Sequence, residues 1–341
     1  MKDVRKLLFP FAILYGIVTG IRNFLYNRGI FRAFSFDIPV IAVGNLSTGG
    51  TGKSPLTEYL VRLLKDSYSV ATLSRGYKRS SKGFVLADDA ATAATLGDEP
   101  YQFHLKFPDI QVAVDADRVN GITRLLSLPD KPGVIVLDDA YQHRRVKAGL
   151  YILLTAYGDI YADDLILPAG NLREGRSGAK RADIIVVTKC PPDLALKEQE
   201  NITRKLKPQM HQKVYFTCIA YDEWVYSGEG SIKVTDVKPQ DKVLVAGIAK
   251  PEPFFSFLKN DTDHCLTYPD HHNFTASDIE AIINKSDNRI IITTEKDYTR
   301  LKGSLPADKL FYLPIKSSFV KDAGDFDKTI LEYVGKSTGN R

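Results

Sequence analysis

The sequence predicts an α/β protein: a mostly parallel sheet with helices on both faces, followed by a smaller α/β domain. Three observations carry this expectation. Unbroken aliphatic runs such as Val134-Ile135-Val136-Leu137 mark strands buried on both faces. Such runs alternate with helical patterns through the first two hundred residues. A glycine-rich turn joins the first of these strands to the first of these helices, the connection at which α/β sheets bind ligands.

The chain opens on an apolar segment. Leu7 to Ile21 holds no charged residue, while Lys2, Arg5 and Lys6 precede it and Arg22, Arg28 and Arg32 follow. The run is short for a spanning helix, which needs about 20 apolar residues, and no small-residue cleavage site follows it. A helix lying in the plane of an anionic membrane surface suits this pattern. A helix buried against the domain and a true span are the other two readings.

Strands are predicted at Val40–Val43, Val70–Leu73, Gln111–Val114, Val134–Leu137, Tyr151–Leu154 and Ile184–Thr188, with helices at Pro55–Lys65, Glu99–Phe107, Arg118–Leu126 and Leu194–Leu206. Val214–Tyr221 and Glu223–Tyr226 read as a β-ribbon turning near Gly228. A second βα series follows, with strands at Lys242–Ala246, Ile290–Thr293 and Leu310–Leu313 and helices at Pro253–Leu258 and Ala276–Asn284. Phe326 to Val334 reads as a closing helix. The expected division is residues 1–32 as the N-terminal helix, 33–212 as the main domain, 213–232 as a ribbon linker and 233–341 as the smaller domain.

At 341 residues, with 44% hydrophobic and 26% charged, the chain is neither disordered nor a polytopic membrane protein. The net charge of +5 is spread among 41 acidic residues and gives no footprint for nucleic acid. Three scattered cysteines, Cys190, Cys218 and Cys265, fit reduced thiols rather than a disulfide framework.

The turn reads Ser47-Thr48-Gly49-Gly50-Thr51-Gly52-Lys53-Ser54. Its backbone N–H groups and the following helix N-terminus suit a polyphosphate. Lys53 would reach the β- and γ-phosphates and Ser54 would bind Mg²⁺, the Walker A arrangement of a P-loop NTPase-like fold. Ser47 stands where the strict pattern has Gly. The strand Val134–Leu137 delivers Asp138 and Asp139, and Asp138 is the natural metal carboxylate. Asp139 is expected to point elsewhere, because consecutive strand residues face opposite sides.

Other clusters leave two readings open. Gln142, His143, Arg144 and Arg145 suit a hydroxylated or phosphorylated acceptor, or form a solvated loop. Asp98, in Gly97-Asp98-Glu99-Pro100, is either a helix N-cap or a general base that accepts a hydroxyl proton late in a loose transition state. Asp270-His271-His272 is either structural or supplies an imidazole to a carboxylate. The loop Pro168–Arg176 either caps a helix or recognises an anionic group. Val187-Thr188-Lys189-Cys190 faintly resembles a guanine-reading loop without the Asp that such loops need.

Taken together these segments resemble the tetraacyldisaccharide 4′-kinase family of lipid A biosynthesis. The resemblance rests on Val43-Gly44-Asn45-Leu46 with Gly49–Ser54, Leu73-Ser74-Arg75-Gly76-Tyr77, Gly97-Asp98-Glu99-Pro100, Asp117-Arg118, Leu137 to Arg144, Leu167-Pro168-Ala169-Gly170 with Leu172-Arg173-Glu174, Asp270-His271-His272, and Thr293-Thr294-Glu295-Lys296-Asp297. It implies transfer of the ATP γ-phosphate to the 4′-hydroxyl of a tetraacyldisaccharide 1-phosphate at the cytoplasmic face of the inner membrane. The implied roles are nucleotide and Mg²⁺ binding at Ser47–Ser54 with Asp138, and a proton-handling dyad of Asp98 and His271 acting with Lys53. Arg118, Asp139, Gln142, His143, Arg173 and Glu174 would line the acceptor site. The expected partners are the acylated disaccharide lipid and an anionic membrane surface, with no nucleic acid, and a monomer is expected. The competing expectation is a membrane-surface nucleotide switch that hydrolyses ATP or GTP without an acceptor.

Overall fold

The computed structural model describes residues 5, 7–270 and 272–338. After helix α1 (Phe9–Asn27), strands and helices alternate: β1 (Val40–Asn45), α2 (Lys53–Leu64), β2 (Val70–Ser74), β3 (Val85–Leu86), α3 (Ala93–Leu96), α4 (Asp98–Lys106), β4 (Gln111–Val114), α5 (Arg118–Leu126), β5 (Val134–Leu137), β6 (Leu150–Ala156), β7 (Ile184–Thr188), α6 (Leu196–Leu206) and β8 (Lys213–Tyr221). Then come β9 (Trp224–Tyr226), β10 (Ser231–Lys233), α7 (Val234–Val237), β11 (Lys242–Ala246), α8 (Glu252–Leu258), β12 (His264–Thr267), α9 (Ala276–Ser286), β13 (Ile290–Thr294), α10 (Glu295–Leu301) and β14 (Leu310–Leu313). The chain closes with β15 (Ile315–Phe319) and α11 (Ala323–Thr338).

The first sheet has the order β15-β8-β7-β6-β1-β5-β2-β4-β3. β1 lies parallel between β5 and β6, and β3 is antiparallel to β4 at the edge. Alternation along β1 explains its unbroken apolar run. Ile41 and Val43 pack with Leu56, Leu60 and Leu64 of α2, while Val40 and Ala42 pack with Ile122 and Leu125 of α5. Each face is covered by a helix, so neither set of side chains meets water. A third cluster joins Leu153, Ile185 and Val187 to Ile202 and Leu206 of α6.

The second sheet runs β10-β9-β14-β13-β11-β12, parallel through its last four strands and antiparallel at the β9–β10 hairpin. Leu244 and Ala246 of β11 face one cluster, Val243 and Val245 the other.

The structure places the connection differently from the sequence reading. β8 neighbours β15, not β9, so the ribbon has one strand on the way out and one on the way back. The chain separates into a unit of residues up to Ile219 and from Ser317 onward, and a unit of Ala220–Lys316. The sequence reading had assigned all of 233–341 to the second. The physical reason is α11, whose Phe326, Ile330 and Val334 are fully buried in the first unit's core with Ile41 and Val43.

Candidate active site

The loop after β1 is held on three sides. Asn45 donates to the Thr51 hydroxyl at 2.8 Å, the Thr188 hydroxyl donates to the Thr51 carbonyl at 2.7 Å, and the Thr48 amide donates to the Asn171 carbonyl at 2.7 Å. Gly52, at φ +80°, turns the chain into α2 and leaves Lys53 as its first residue, a backbone region that disfavours side chains. Gly44 is required for contact: a Cβ there would stand 2.7 Å from that of Tyr141. Ser47 lies outside the positive-φ region and bridges Leu172, so its side chain costs nothing in backbone strain.

Asp138 and Asp139 both face this loop. The Thr57 hydroxyl of α2 donates to Asp138 at 3.3 Å, and the Lys53 ammonium lies 3.6 Å from Asp139. This corrects the expected divergence of the pair. β5 ends at Leu137, and Asp139 adopts φ +46°, a left-handed turn that brings its carboxylate back toward Lys53. Asp138 is buried, and its carboxyl is held well above the ordinary range, first by loss of hydration and then by the charges of Glu99 and Asp139, with Lys53 and Arg118 opposing.

Glu99 is the residue that sequence reasoning missed as part of the site. It accepts from the Ser54 hydroxyl at 3.0 Å across a separation of 45 positions. Its one sequence signal is its place beside Asp98. Asp98 itself is the first residue of α4, and Gly97 occupies the cap position, so capping by the Asp98 side chain is not its role. His271 lies outside the described residues. Its neighbour His272 is structural, stacked on Tyr268 and bonded to Asp278 at 2.9 Å.

Among the described residues no three His, Cys, Asp or Glu side chains form a metal cage. That suits Mg²⁺, which takes one or two carboxylates and completes its shell with water and substrate phosphates. The donor chemistry at Ser54 and Asp138 fits this ion: oxygen ligands, with the carboxylates of Glu99 and Asp139 close enough to add negative charge beside them.

The remaining candidates gather on the same end of the sheet. Arg173 donates to both Asp139 oxygens, at 3.1 and 3.2 Å, and to Gln142 at 3.3 Å. Gln142 donates to the Asn45 carbonyl at 2.8 Å and to Glu174 at 3.2 Å. Glu174 is buried, gripped by Arg181 at 2.8 and 2.9 Å and by Asn23 of α1 at 2.6 Å. Arg118 is buried and donates to the Asp115 and Asp138 carbonyls at 3.0 and 3.3 Å. Burial lowers its guanidinium to about 10, leaving it charged at neutral pH. Burial, then the nearby Arg118, lowers His143 to about 4, so that imidazole is neutral. Arg75 is exposed, and its charge further lowers Arg118.

α1 runs past these loops. Tyr15 donates to the Arg173 carbonyl at 2.9 Å, Arg22 to the Gln142 carbonyl at 2.9 Å, and Arg144 returns bonds to the Asn23 carbonyl and the Asn27 side chain at 3.0 and 2.7 Å. The helix is long and apolar enough to cross a membrane by length and composition, and of its residues Ala12 is the buried one.

The profile of the tetraacyldisaccharide-1-P 4′-kinase family (LpxK) matches residues 4–335. Tetraacyldisaccharide 4′-kinase of Flavobacterium johnsoniae is 61% identical over 334 residues, 98% of each chain. That of Bacteroides thetaiotaomicron is 43% identical over 99% of this chain and 95% of its own. The crystal structure of LpxK from Aquifex aeolicus in complex with ATP superposes with a TM-score of 0.78 at 30% identity, covering 97% of this chain and 99% of that one. A match over nearly the whole length, with the phosphate loop and acidic pair in one place, settles the family: this chain belongs to the tetraacyldisaccharide 4′-kinases.

Proposed function

We propose that the chain transfers the γ-phosphate of ATP to the 4′-hydroxyl of tetraacyldisaccharide 1-phosphate. The observation that carries this reading is the convergence of Lys53, Asp139 and Arg173, with Lys53 3.6 Å and Arg173 3.1 Å from the same carboxylate. Residues Ser47–Ser54 cradle the polyphosphate with backbone N–H groups, and Lys53 exchanges Asp139 for the β- and γ-phosphates. Ser54 and Asp138 would hold Mg²⁺, which when bound would neutralise charge on the transferred group. Asp98, at the start of α4, accepts the acceptor proton late in the transfer, with His271 as its partner. Once Lys53 is released, Arg173 and Asp139 face the acceptor, while Gln142 and Glu174 set the Arg173 position. Arg118 and neutral His143 form the wall behind them.

The enzyme works as a monomer on the cytoplasmic face of the inner membrane. α1 spans about 28 Å at 1.5 Å per residue, but its bonds at Tyr15, Arg22, Asn23 and Asn27 tie it lengthwise to the folded unit. The helix also exposes Phe11, Leu14, Val18 and Ile21. A helix held this way lies flat in the interface and keeps the site within reach of a sugar head whose acyl chains stay in the bilayer. Arg28 and Arg32 remain available to anionic headgroups, whereas Arg22 is committed to the Gln142 carbonyl.

The test is a phosphate-transfer assay with purified protein, labelled ATP, Mg²⁺ and detergent-dispersed disaccharide lipid. Labelled lipid is expected. Rapid lipid-independent hydrolysis without labelled lipid would instead identify a nucleotide switch.

A further inference from the structure

The sequence groups Arg5 with the positive residues flanking the apolar segment, where an anionic headgroup would be its partner. The structure turns it toward the protein instead. Its Nη1 donates to the Asn171 side-chain oxygen at 2.9 Å, its Nε to the Pro168 carbonyl at 3.1 Å, and its Nη2 to the Gly170 carbonyl. Three nitrogens of one planar fork thus meet three oxygens within four residues. A guanidinium satisfies that arrangement and an ammonium does not.

These four residues lead into a segment that runs beside the root of the phosphate loop. The Thr48 amide donates to the Asn171 carbonyl and the Arg173 amide to the Leu46 carbonyl, each at 2.7 Å. Ser47 and Leu172 pair antiparallel between those two bonds. After Thr48 come Gly49, at φ +121°, and Gly50, which have no side chains to hold them in place. The shape of the loop therefore depends on its anchors. Beyond the glycines these are Asn45 and Thr188, which both bond Thr51. Before them the anchor is Asn171, gripped by Arg5 and by Asp164, whose carboxylate accepts the Asn171 amide at 3.2 and 3.3 Å.

We infer that Arg5 is a positioning residue for the nucleotide: it fixes Asn171, Asn171 fixes Thr48, and the phosphate loop keeps its binding shape before ATP arrives. Preorganisation lowers the ordering cost of binding, so its loss registers in affinity and not in the chemical step. The inference rests on the nucleotide half of the kinase reading and needs no acceptor lipid.

Two binding measurements on the full chain separate support of the loop from contact with lipid: calorimetry with Mg²⁺-ATP, and partition onto anionic vesicles. Arg5→Ala should raise the ATP dissociation constant about 10-fold and leave vesicle partition within about 2-fold of the parent. In the transfer assay its KM for ATP should rise in step while kcat stays within about 3-fold. Arg5→Lys, which keeps the charge and loses the fork, should fall between parent and Arg5→Ala. Asn171→Ala should weaken ATP binding about 3-fold, and the double variant should bind no more weakly than Arg5→Ala, because both act through one chain of bonds. Unchanged ATP affinity in Arg5→Ala overturns the inference. Loss of vesicle partition with ATP affinity intact makes Arg5 a headgroup contact and overturns it too. So does a fall in kcat at constant KM for ATP, the mark of a general brace. Should Arg5→Ala fail to fold, Arg5→Lys decides, and parent-like ATP affinity there counts against the inference. Parent protein that binds ATP but labels no lipid overturns the kinase reading, while weaker ATP binding by Arg5→Ala still upholds the role of Arg5. Parent protein that binds no ATP removes both.

Discussion

Asp138 and Asp139 show how much one backbone torsion decides. Alternation along a strand predicts that adjacent side chains diverge, and that rule ends where β5 ends, at Leu137. Beyond it the left-handed turn at Asp139 sets two carboxylates on one phosphate loop, and burial first, then the charges of Glu99 and Asp139, cost Asp138 its ease of ionisation. A carboxyl raised in the folded state contributes stability that is present below the ordinary carboxylate range and is lost as pH rises through the raised value. Nucleotide-free Asp138→Asn should therefore be more stable than the parent at pH 8, by about 1 kcal/mol or more, with the advantage shrinking toward pH 5. Thermal melts at both pH values check this, and saturating Mg²⁺-ATP should abolish the gain. The phosphate loop, Asp138 and the basic cluster after it were legible because each is a local string. Glu99 was not, because its partner Ser54 comes from a different helix and only folding joins them.

At the level of elements, composition identified α1 and structure showed which stripe faces inward. Tyr15, Asn23 and Asn27 make the bonds to the folded unit, while Phe11, Leu14 and Val18 stay exposed. Replacing Phe11, Leu14 and Val18 together by Ser should cut binding to anionic vesicles at least about 100-fold, since each side chain removes roughly 1.5–3 kcal/mol of apolar transfer. The melting temperature should stay nearly constant, because none of the three is buried. Loss of folding without loss of vesicle binding would contradict the assigned face. The strands of the main sheet were readable from their aliphatic runs, several to the residue. β12 and β15 were not, being short and partly exposed. Periodicity also found the helix around Phe326 to Val334, but a periodic stripe names a face and not the partner it meets. Its docking on β1 could not be read from spacing.

For the molecule as a whole, the two units have separate cores, and the triphosphate site described above belongs to the first. Ligand binding stabilises what it touches in proportion to RT ln(1 + [L]/Kd). Mg²⁺-ATP should slow amide exchange in β1, β5 and α2 while leaving β11 and β13 near their unliganded rates, a pattern that exchange mass spectrometry resolves. Equal protection of both sheets would show that the units respond as one body. The contrast with the sequence reading is greatest here, since the first unit is discontinuous. Phe326, Ile330 and Val334 reach its core only after the chain has completed Ala220–Lys316, and the Tyr333 hydroxyl then bonds both the amide and the carbonyl of Val40, each at 3.1 Å. On the ribosome the contiguous unit emerges whole while the other still lacks its closing helix. A nascent chain halted anywhere before that helix thus lacks the side chains that close the core beneath β1, the strand from which the phosphate loop springs.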